Sequence, residues 1–167
     1  MKLLIFDKIL LGIIILILGF LINKLLERYK SKVSLVKEFT TVKINKISDT
    51  WNILIDLEED AQIIVDKVLT IRAIINSSPD EQTRAIMNET SPLELNLKQK
   101  IIIVEKTLKQ NHFWIGKDYF KRFSDYKDSI LEYYSAVIHN TNVDFAEMKA
   151  KLDSNKEDLI KIVKENL

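Results

Sequence analysis

Four acidic residues lie close together between positions 56 and 60, and carboxylates at helical spacing can bind a hard metal ion. Asp56, Glu58, Glu59 and Asp60 are one to four residues apart, so several of them share a face if this segment is helical. Carboxylate metal centres in helical bundles also use Glu-x-x-His pairs on two helices, and the sequence contains no such pair. We therefore predict a solvated helix face, partly paired with the basic residues upstream, and no metal site.

The residue types that most enzymatic chemistry requires are scarce. The chain has no cysteine, which excludes disulfides, thiolate catalysis and cysteine-based zinc sites. Its two histidines, His112 and His139, lie in different segments and are predicted to be surface or helix-end residues. Gly116 is the only glycine after Gly19, and phosphate-binding loops need several glycines. We expect a non-enzymatic protein with no cofactor and no small-molecule substrate.

Eight of the fourteen aromatic residues fall between Phe113 and Tyr134, with basic residues interspersed. Such a mixture is typical of stacking platforms for single-stranded nucleic acids. Nearby aspartates balance the charge, however, and the whole chain has a net charge of +1, so nucleic-acid binding is not expected. The helical spacing of the aromatics favours core packing. If some of them are exposed, the candidate partner patch is Phe113, Trp114 and Tyr119.

The N-terminal segment is apolar over a length that approaches a membrane span. Residues 9–22 contain no charge, and apolar neighbours on both sides extend the stretch to the roughly 20 residues that cross a bilayer. No small-residue cleavage site follows. The sequence predicts an uncleaved transmembrane anchor over residues 1–26, rather than a cleaved signal peptide or a buried soluble helix. Gly12 and Gly19 lie seven residues apart on one helix face. This spacing either forms a face for close helix packing or has no role, because a membrane helix tolerates glycine.

Basic residues dominate the segment that follows, and residues 27–48 form the predicted juxtamembrane connector. Between Lys24 and Lys46 there are seven basic and two acidic residues. They either attract anionic lipid or serve only to set the topology. The candidate lipid contacts are Lys24, Arg28, Lys30 and Lys32. The positive-inside rule predicts a single-pass protein of the cytoplasmic (inner) membrane, with the N-terminus outside and the C-terminal domain in the cytoplasm.

Residues 49–167 are predicted to form a helical bundle domain. Its first helix carries apolar residues at alternating spacings of three and four: Leu54, Leu57, Ala61, Ile64, Val68, Ile71 and Ile75. Further apolar residues on this helix predict packing on several sides. Ser-Pro-x-Glu sequences at Ser78 and Ser91 predict the starts of a short and then a longer helix. A bend is predicted in the β-branched segment 39–48, and connections at 111–116 and 139–142.

The predicted fold class is all-α: a single N-terminal transmembrane helix followed by a cytoplasmic antiparallel helical bundle of about four main helices plus one short helix. The composition, rich in lysine and isoleucine, is typical of an AT-rich bacterial genome. We expect a membrane-anchored interaction or scaffold module that holds or senses a cytoplasmic protein partner, or that forms a homo-oligomer. The alternative is an oligomerising membrane effector, such as a toxin-like or defence protein that perturbs the membrane.

Overall fold

The computed structural model describes the backbone of residues 2–74, 79–139 and 144–166, and the side chains of residues 16–74, 80–139 and 144–164. Within these ranges it contains four α-helices and no strand: α1 (Lys2–Ile74), α2 (Pro79–Ile115), α3 (Lys117–His139) and α4 (Phe145–Asn166). The prediction of an all-α fold is therefore confirmed. The chain divides into two compact units, residues 1–42 and 43–167, and α1 contributes to both. The predicted boundaries at residues 26 and 48 stay predictions.

The second unit is a helical bundle in which each helix runs antiparallel to the one before it. Pairs of residues in contact show this, because positions rise along one helix as they fall along the next. These pairs are Asp60–Lys100 and Lys67–Glu89 between α1 and α2, Glu105–Lys127 and His112–Phe120 between α2 and α3, and Glu132–Lys151 and Tyr119–Ile162 between α3 and α4. The predicted helical bundle is confirmed.

The heptad residues of α1 form part of the core, as predicted. Five of them are buried, namely Leu54, Leu57, Ala61, Ile64 and Val68. Ile71 is half-buried, and Ile75 lies outside the described residues. The prediction that this helix is covered on several sides is right for Val65, which is buried, and partly right for Ile53 and Ile55, which are half-buried. It is wrong for Ile63, Leu69 and Ile74, which are exposed. One broad face of α1 therefore makes the core contacts.

α1 is helical throughout residues 39–48, so the break that the β-branched residues predicted there does not interrupt the helix. The hydroxyl groups of Thr40 and Thr41 donate hydrogen bonds of 2.9 Å to the carbonyl oxygens of Val36 and Lys37, one turn earlier. Threonine in a helix can satisfy its hydroxyl in this way. Burial of Ile47 adds tertiary packing, which outweighs the modest helix propensity of β-branched residues.

The predicted helix start at Ser91 is also wrong, because α2 runs through Pro92. The Ser91 hydroxyl does not cap a new helix. It donates a hydrogen bond to the carbonyl oxygen of Met87 at 2.5 Å, as serine does inside a helix. Pro92 removes one backbone donor, but Thr90 and Leu97 are buried on either side of it. The separate short helix therefore does not exist, and α2 is one helix of 37 residues.

The predicted connection at residues 111–116 is mostly helix. α2 ends at Ile115, and Gly116 follows with a φ of 83°, a left-handed conformation that glycine adopts at little cost. The Gly116 N–H donates to the His112 carbonyl oxygen at 3.0 Å. The break predicted at 139–142 falls where α3 ends, at His139, and residues 140–143 lie outside the described residues.

A search of the described residues finds no helix with a stretch that is long and apolar enough to cross a membrane. The transmembrane helix predicted for residues 1–26 is therefore not shown. The side chains of residues 1–15, which belong to that prediction, lie outside the described residues.

Candidate functional site

The four candidate lipid contacts lie on the N-terminal part of α1, and all four are exposed: Lys24, Arg28, Lys30 and Lys32. At about 100° per residue, Val33 and Val36 lie within about 40° of Tyr29 around the helix axis. Lys30, Lys32 and Lys37 then flank this apolar line, about 60–100° to either side. Glu27 and Glu38 lie on the opposite side of the helix.

The apolar line between these lysines continues the heptad of the bundle core in sequence. Steps of seven residues back from Leu54 reach Ile47, Thr40, Val33, Leu26 and Gly19, and steps of seven back from Leu57 reach Thr50, Lys43, Val36, Tyr29 and Ile22. The first series occupies heptad position a and the second occupies position d. Ile47 and Thr50 are buried in the bundle. The heptad pattern extends upstream of Leu54 in the sequence. It was not recognised there because three of its positions hold polar residues, Thr40, Lys43 and Thr50.

Upstream of residue 40, the same heptad positions are exposed. The exposed fractions of Leu26, Tyr29, Val33 and Val36 are 51%, 68%, 49% and 66%. We call these four residues the exposed seam. They are apolar side chains on consecutive turns, and contiguous exposed apolar patches are typical of interaction surfaces.

Gly19 occupies position a of the same heptad, and so does Gly12 by its position in the sequence. A Cβ atom added at Gly19 would meet no other atom within 4 Å, so this face of α1 has room for a larger side chain. Gly12 belongs to α1, but its surroundings lie outside the described residues. The predicted packing face of Gly12 and Gly19 therefore stays a prediction.

The three residues of the candidate partner patch occupy different environments. Phe113 is 76% exposed and meets the half-buried ring of Trp114 edge to face, with 5.3 Å between ring centroids. Tyr119 is buried, and its hydroxyl donates to the Ile162 carbonyl oxygen at 3.2 Å. Tyr119 therefore belongs to the core, and only Phe113 and part of Trp114 face outward.

The rest of the aromatic cluster is mostly core, as the helical spacing predicted. Phe123 and Tyr126 are completely buried, and the rings of Trp51 and Tyr126 stack with 6.0 Å between centroids and 17° between planes. Tyr126 therefore joins α3 to α1, and Lys127, which lies next to it, has a side chain that is only 15% exposed. Lys121 and Arg122 are exposed.

The acidic cluster is only partly a solvated face. Asp56 and Glu59 are exposed, as predicted. The prediction of a solvated position is wrong for Glu58, because its side chain is only 13% exposed and lies where α1, α3 and α4 meet. The Tyr126 hydroxyl donates to Glu58 Oε2 at 2.6 Å, and Lys156 Nζ donates to the same oxygen at 2.5 Å. The partners of Glu58 are thus on other helices, not in the basic segment upstream.

Asp60 is also paired across helices. Its Oδ2 lies 2.7 Å from Lys100 Nζ on α2, and the same ammonium group donates to the Asp56 carbonyl oxygen at 3.2 Å. Glu58 and Asp60 therefore hold α1 against three other helices. The described residues contain no cluster of side chains that could bind a metal ion.

Burial raises the pKa of Tyr126 far above its usual value, and the Glu58 carboxylate raises it further by accepting the hydroxyl proton. Tyr126 therefore stays a neutral hydrogen-bond donor at physiological pH. Both the phenol and the ammonium of Lys156 donate to one carboxylate oxygen. The group acts as a cross-link between helices, because donors on α3 and α4 share one carboxylate oxygen of α1.

A buried polar pair joins α1 and α2. Asn111 Nδ2 donates to Thr50 Oγ1 at 3.0 Å, and the Thr50 hydroxyl donates to the Lys46 carbonyl oxygen at 2.7 Å. Both side chains are buried. A buried amide in a coiled-coil seam sets the alignment of the helices. Sequence reasoning missed this pair because Thr50 was outside the apolar heptad and Asn111 was assigned to a connection.

The remaining candidates for chemistry lie on the surface. His112 and His139 are exposed, as predicted, and the His112 ring lies against Phe120 with 4.3 Å between centroids. An open cavity of about 540 Å³ lies between α1 and α2; its described lining is Asp66, Lys67, Thr70, Ile71, Ala85 and Glu89. Lys67 and Glu89 form an exposed ion pair across it at 3.3 Å. The Thr70 hydroxyl in this lining donates to the backbone carbonyl oxygen of Asp66 at 2.7 Å, not to a side chain that could act as a general base.

Comparisons with protein-family models, with curated proteins and with solved structures found no match.

Proposed function

We propose that the chain is a single-pass membrane protein whose cytoplasmic helices bind a protein partner, and that it acts by binding rather than by catalysis. The observation that carries the membrane part is a run of uncovered apolar side chains on α1. Eight large apolar residues between positions 16 and 26 have exposed fractions of 50–75%: Leu16, Ile17, Leu18, Phe20, Leu21, Ile22, Leu25 and Leu26.

A hydrocarbon environment accounts for this run better than water does. Each apolar side chain of this size gains about 1.5–3 kcal/mol when it leaves water completely. Residues 9–15, which lie upstream, add seven positions without a charge, so the uncharged stretch is uninterrupted from Ile9 to Ile22. Lys24 and Arg28 then provide basic groups that extend from the edge of the hydrocarbon to the lipid headgroups. The segment thus has the order of features that a membrane anchor requires.

The excess of basic residues after the apolar run supports an orientation with the bundle in the cytoplasm. Lys24, Arg28, Lys30, Lys32 and Lys37 follow the run, whereas Lys2 and Lys8 precede it. The partner-binding role is supported by the exposed seam of α1. The three closest ion pairs among the described residues are Glu58–Lys156, Glu132–Lys151 and Asp60–Lys100, and each of them joins two helices, which supports a binding function over a catalytic one.

Membrane fractionation tests the proposed anchor. The full chain should remain in the pellet after carbonate extraction. Replacing both Leu16 and Phe20 by Lys places two charges in the apolar run, each at a cost of about 3 kcal/mol near the bilayer centre, and should release the protein. The matched control replaces Leu95 and Ile102, two exposed apolar residues of α2, by Lys. This control variant should stay in the pellet. Release of the unaltered chain by carbonate would exclude an integral anchor.

Protease protection tests the orientation. A protease added outside bacterial spheroplasts should leave the bundle intact, and it should digest the bundle once the membrane is opened by detergent. Digestion before the detergent step would place the bundle outside and reverse the proposed topology.

A further inference from the structure

The exposed seam of α1 has the pattern of a helix that binds a second helix. Leu26 and Val33 occupy heptad position a, and Tyr29 and Val36 occupy position d. In the bundle, the same series continues with buried Ile47, Leu54 and Leu57. Apolar a and d positions pack by inserting between the side chains of a facing helix. Upstream of residue 40 these positions remain about half exposed or more, so this seam is available to a partner helix.

Basic residues occupy three of the positions beside the exposed seam, whereas apolar Leu25 and Phe39 occupy two other g positions. Lys30 and Lys37 occupy heptad position e, and Lys32 occupies position g. Their side chains are exposed, and the two acidic residues of this segment, Glu27 and Glu38, occupy positions b and f on the far side. In coiled coils, charges at e and g select the partner, because they face the e and g positions of the other helix. A helix with acidic residues at those positions would complement all three lysines.

We propose that the exposed seam binds an α-helix of a partner protein in which acidic residues flank an apolar heptad stripe. This proposal rests on the partner-binding part of the proposed function and gives the partner its chemistry. Lys30, Lys32 and Lys37 would pair with carboxylates of that helix, while the seam beyond Leu26, namely Tyr29, Val33 and Val36, packs against its apolar stripe.

A second copy of the chain fits the same seam less well. Two copies anchored in one membrane would run parallel, and in a parallel pair position g of one helix faces position e of the next heptad in the other. Lys32 would then face Lys37 of the second copy in both directions. Like charges at such positions are unfavourable, so the charges beside the seam select against self-association.

A lipid surface also covers the seam poorly. Residues 26–36 belong to one uninterrupted helix, which rises 1.5 Å per residue. If Leu26 lies at the edge of the hydrocarbon, Val36 lies about 15 Å farther along the helix axis, whereas the headgroup layer is only about 6 Å thick on each side. The lipid can therefore reach the first turn of the seam but not Val33 and Val36.

The test measures binding of two synthetic helical peptides to the full chain in non-ionic detergent micelles. Both peptides contain three heptads with Ile at a and Leu at d; one has Glu at every e and g position, and the other has Lys there. The acidic peptide should bind at least about tenfold more tightly than the basic one, since favourable pairs replace unfavourable ones. Its affinity should fall as salt rises. Fluorescence anisotropy of a labelled peptide reports both results.

Three variants locate the binding to the seam. The triple variant K30E/K32E/K37E should reverse the preference and bind the basic peptide more tightly. Val33→Asp should weaken binding of either peptide at least about tenfold, because it places a charge in the apolar stripe. The matched control K98E/K109E/K161E makes the same change of net charge at three exposed lysines of α2 and α4, and the preference should not change.

Equal binding of the two peptides, no binding of either, or a preference unaltered in the triple variant would overturn the proposal. Self-association of the full chain in micelles that Val33→Asp abolishes, measured by analytical ultracentrifugation, would also overturn it and identify a second copy as the occupant. The micelle assay does not require a transmembrane orientation, so its outcome is independent of carbonate extraction. The two experiments can therefore distinguish a wrong proposal about the membrane anchor from a wrong proposal about the acidic partner helix.

Discussion

Removing the Glu58 carboxylate should destabilise the bundle strongly, although the residue lies in a run of four acidic residues. In Glu58→Ala, the buried Tyr126 hydroxyl loses its acceptor at 2.6 Å, and Lys156 loses its partner at 2.5 Å. A hydrogen bond to a charged group contributes about 1.5–3 kcal/mol. The Lys156 side chain is 33% exposed, so its share is reduced by solvent. We expect a total loss of about 3 kcal/mol.

For a bundle of this size, 1 kcal/mol corresponds to about 4 °C in melting temperature, so Glu58→Ala should lower the Tm by about 12 °C. Far-UV circular dichroism of the full chain in non-ionic detergent at pH 7 measures the transition. The matched control is Glu59→Ala, which removes the same group from an exposed neighbour and should change the Tm by less than about 2 °C. Equal melting temperatures for the two variants would refute the structural role of Glu58.

Three further results follow from burial and charge. Ile64→Asp should cost about 4 kcal/mol or more because Ile64 is completely buried, whereas Ile63→Asp, at a position that is 50% exposed, should melt close to the unaltered protein. Burial and Glu58 raise the pKa of Tyr126, so the stability it contributes is complete below the unfolded value of about 10 and is lost as the pH rises above that value. Tyr126→Phe should therefore reduce the fall of the unfolding free energy between pH 10 and 11.5 by about 1.4 kcal/mol per pH unit, which is measured as a flatter fall of Tm; an unchanged slope would contradict this. Finally, expression of a partner-binding module should leave the membrane potential of cells unchanged, and Gly12→Leu/Gly19→Leu should have no effect; depolarisation that disappears in this variant at equal protein level would favour the membrane effector instead.

The helices and most of the core could be predicted because heptad spacing is a local property of the sequence. Leu54, Leu57, Ile64 and Val68 are buried, as an apolar series at spacings of three and four requires. Helix boundaries were predicted less well, because local start signals competed with tertiary packing. Ser91 and Pro92 match a helix start, yet the spacing of core residues continues across them.

That continuity was present in the sequence of α2. Ile86, Thr90, Leu93 and Leu97 follow one another at spacings of four, three and four, and all four are buried or half-buried. A polar residue at one of these positions, Thr90, interrupted the apolar series and left the Ser-Pro signal as the stronger evidence. The end of α2 shows the related error. Extending the helix to Ile115 would have placed Phe113 on the side away from the core, because residues two apart differ by about 200° around the helix.

The partners of Glu58 could not be predicted from local sequence. Tyr126 is 68 residues away and Lys156 is 98 residues away, and either contact depends on how α3 and α4 are aligned with α1. The sequence does indicate that position 58 follows a core position, Leu57, so it lies at the edge of the core face of α1. Which of the four carboxylates turns inward is decided by the donors that other helices present.

These polar contacts select one alignment from several that apolar packing alone would allow. A heptad series repeats every seven residues, so sliding α1 by one heptad against its neighbours would bring a similar set of apolar side chains into the core. The same slide of about 10 Å would separate Thr50 from Asn111 and Glu58 from Tyr126, and would leave buried polar groups without partners. Because Thr50 pairs with Asn111 only four residues before α2 ends, this alignment also determines where the core stops covering α1. The heptad residues upstream of residue 40 stay exposed, even though they continue the series that builds the core, and we propose that a partner helix binds them.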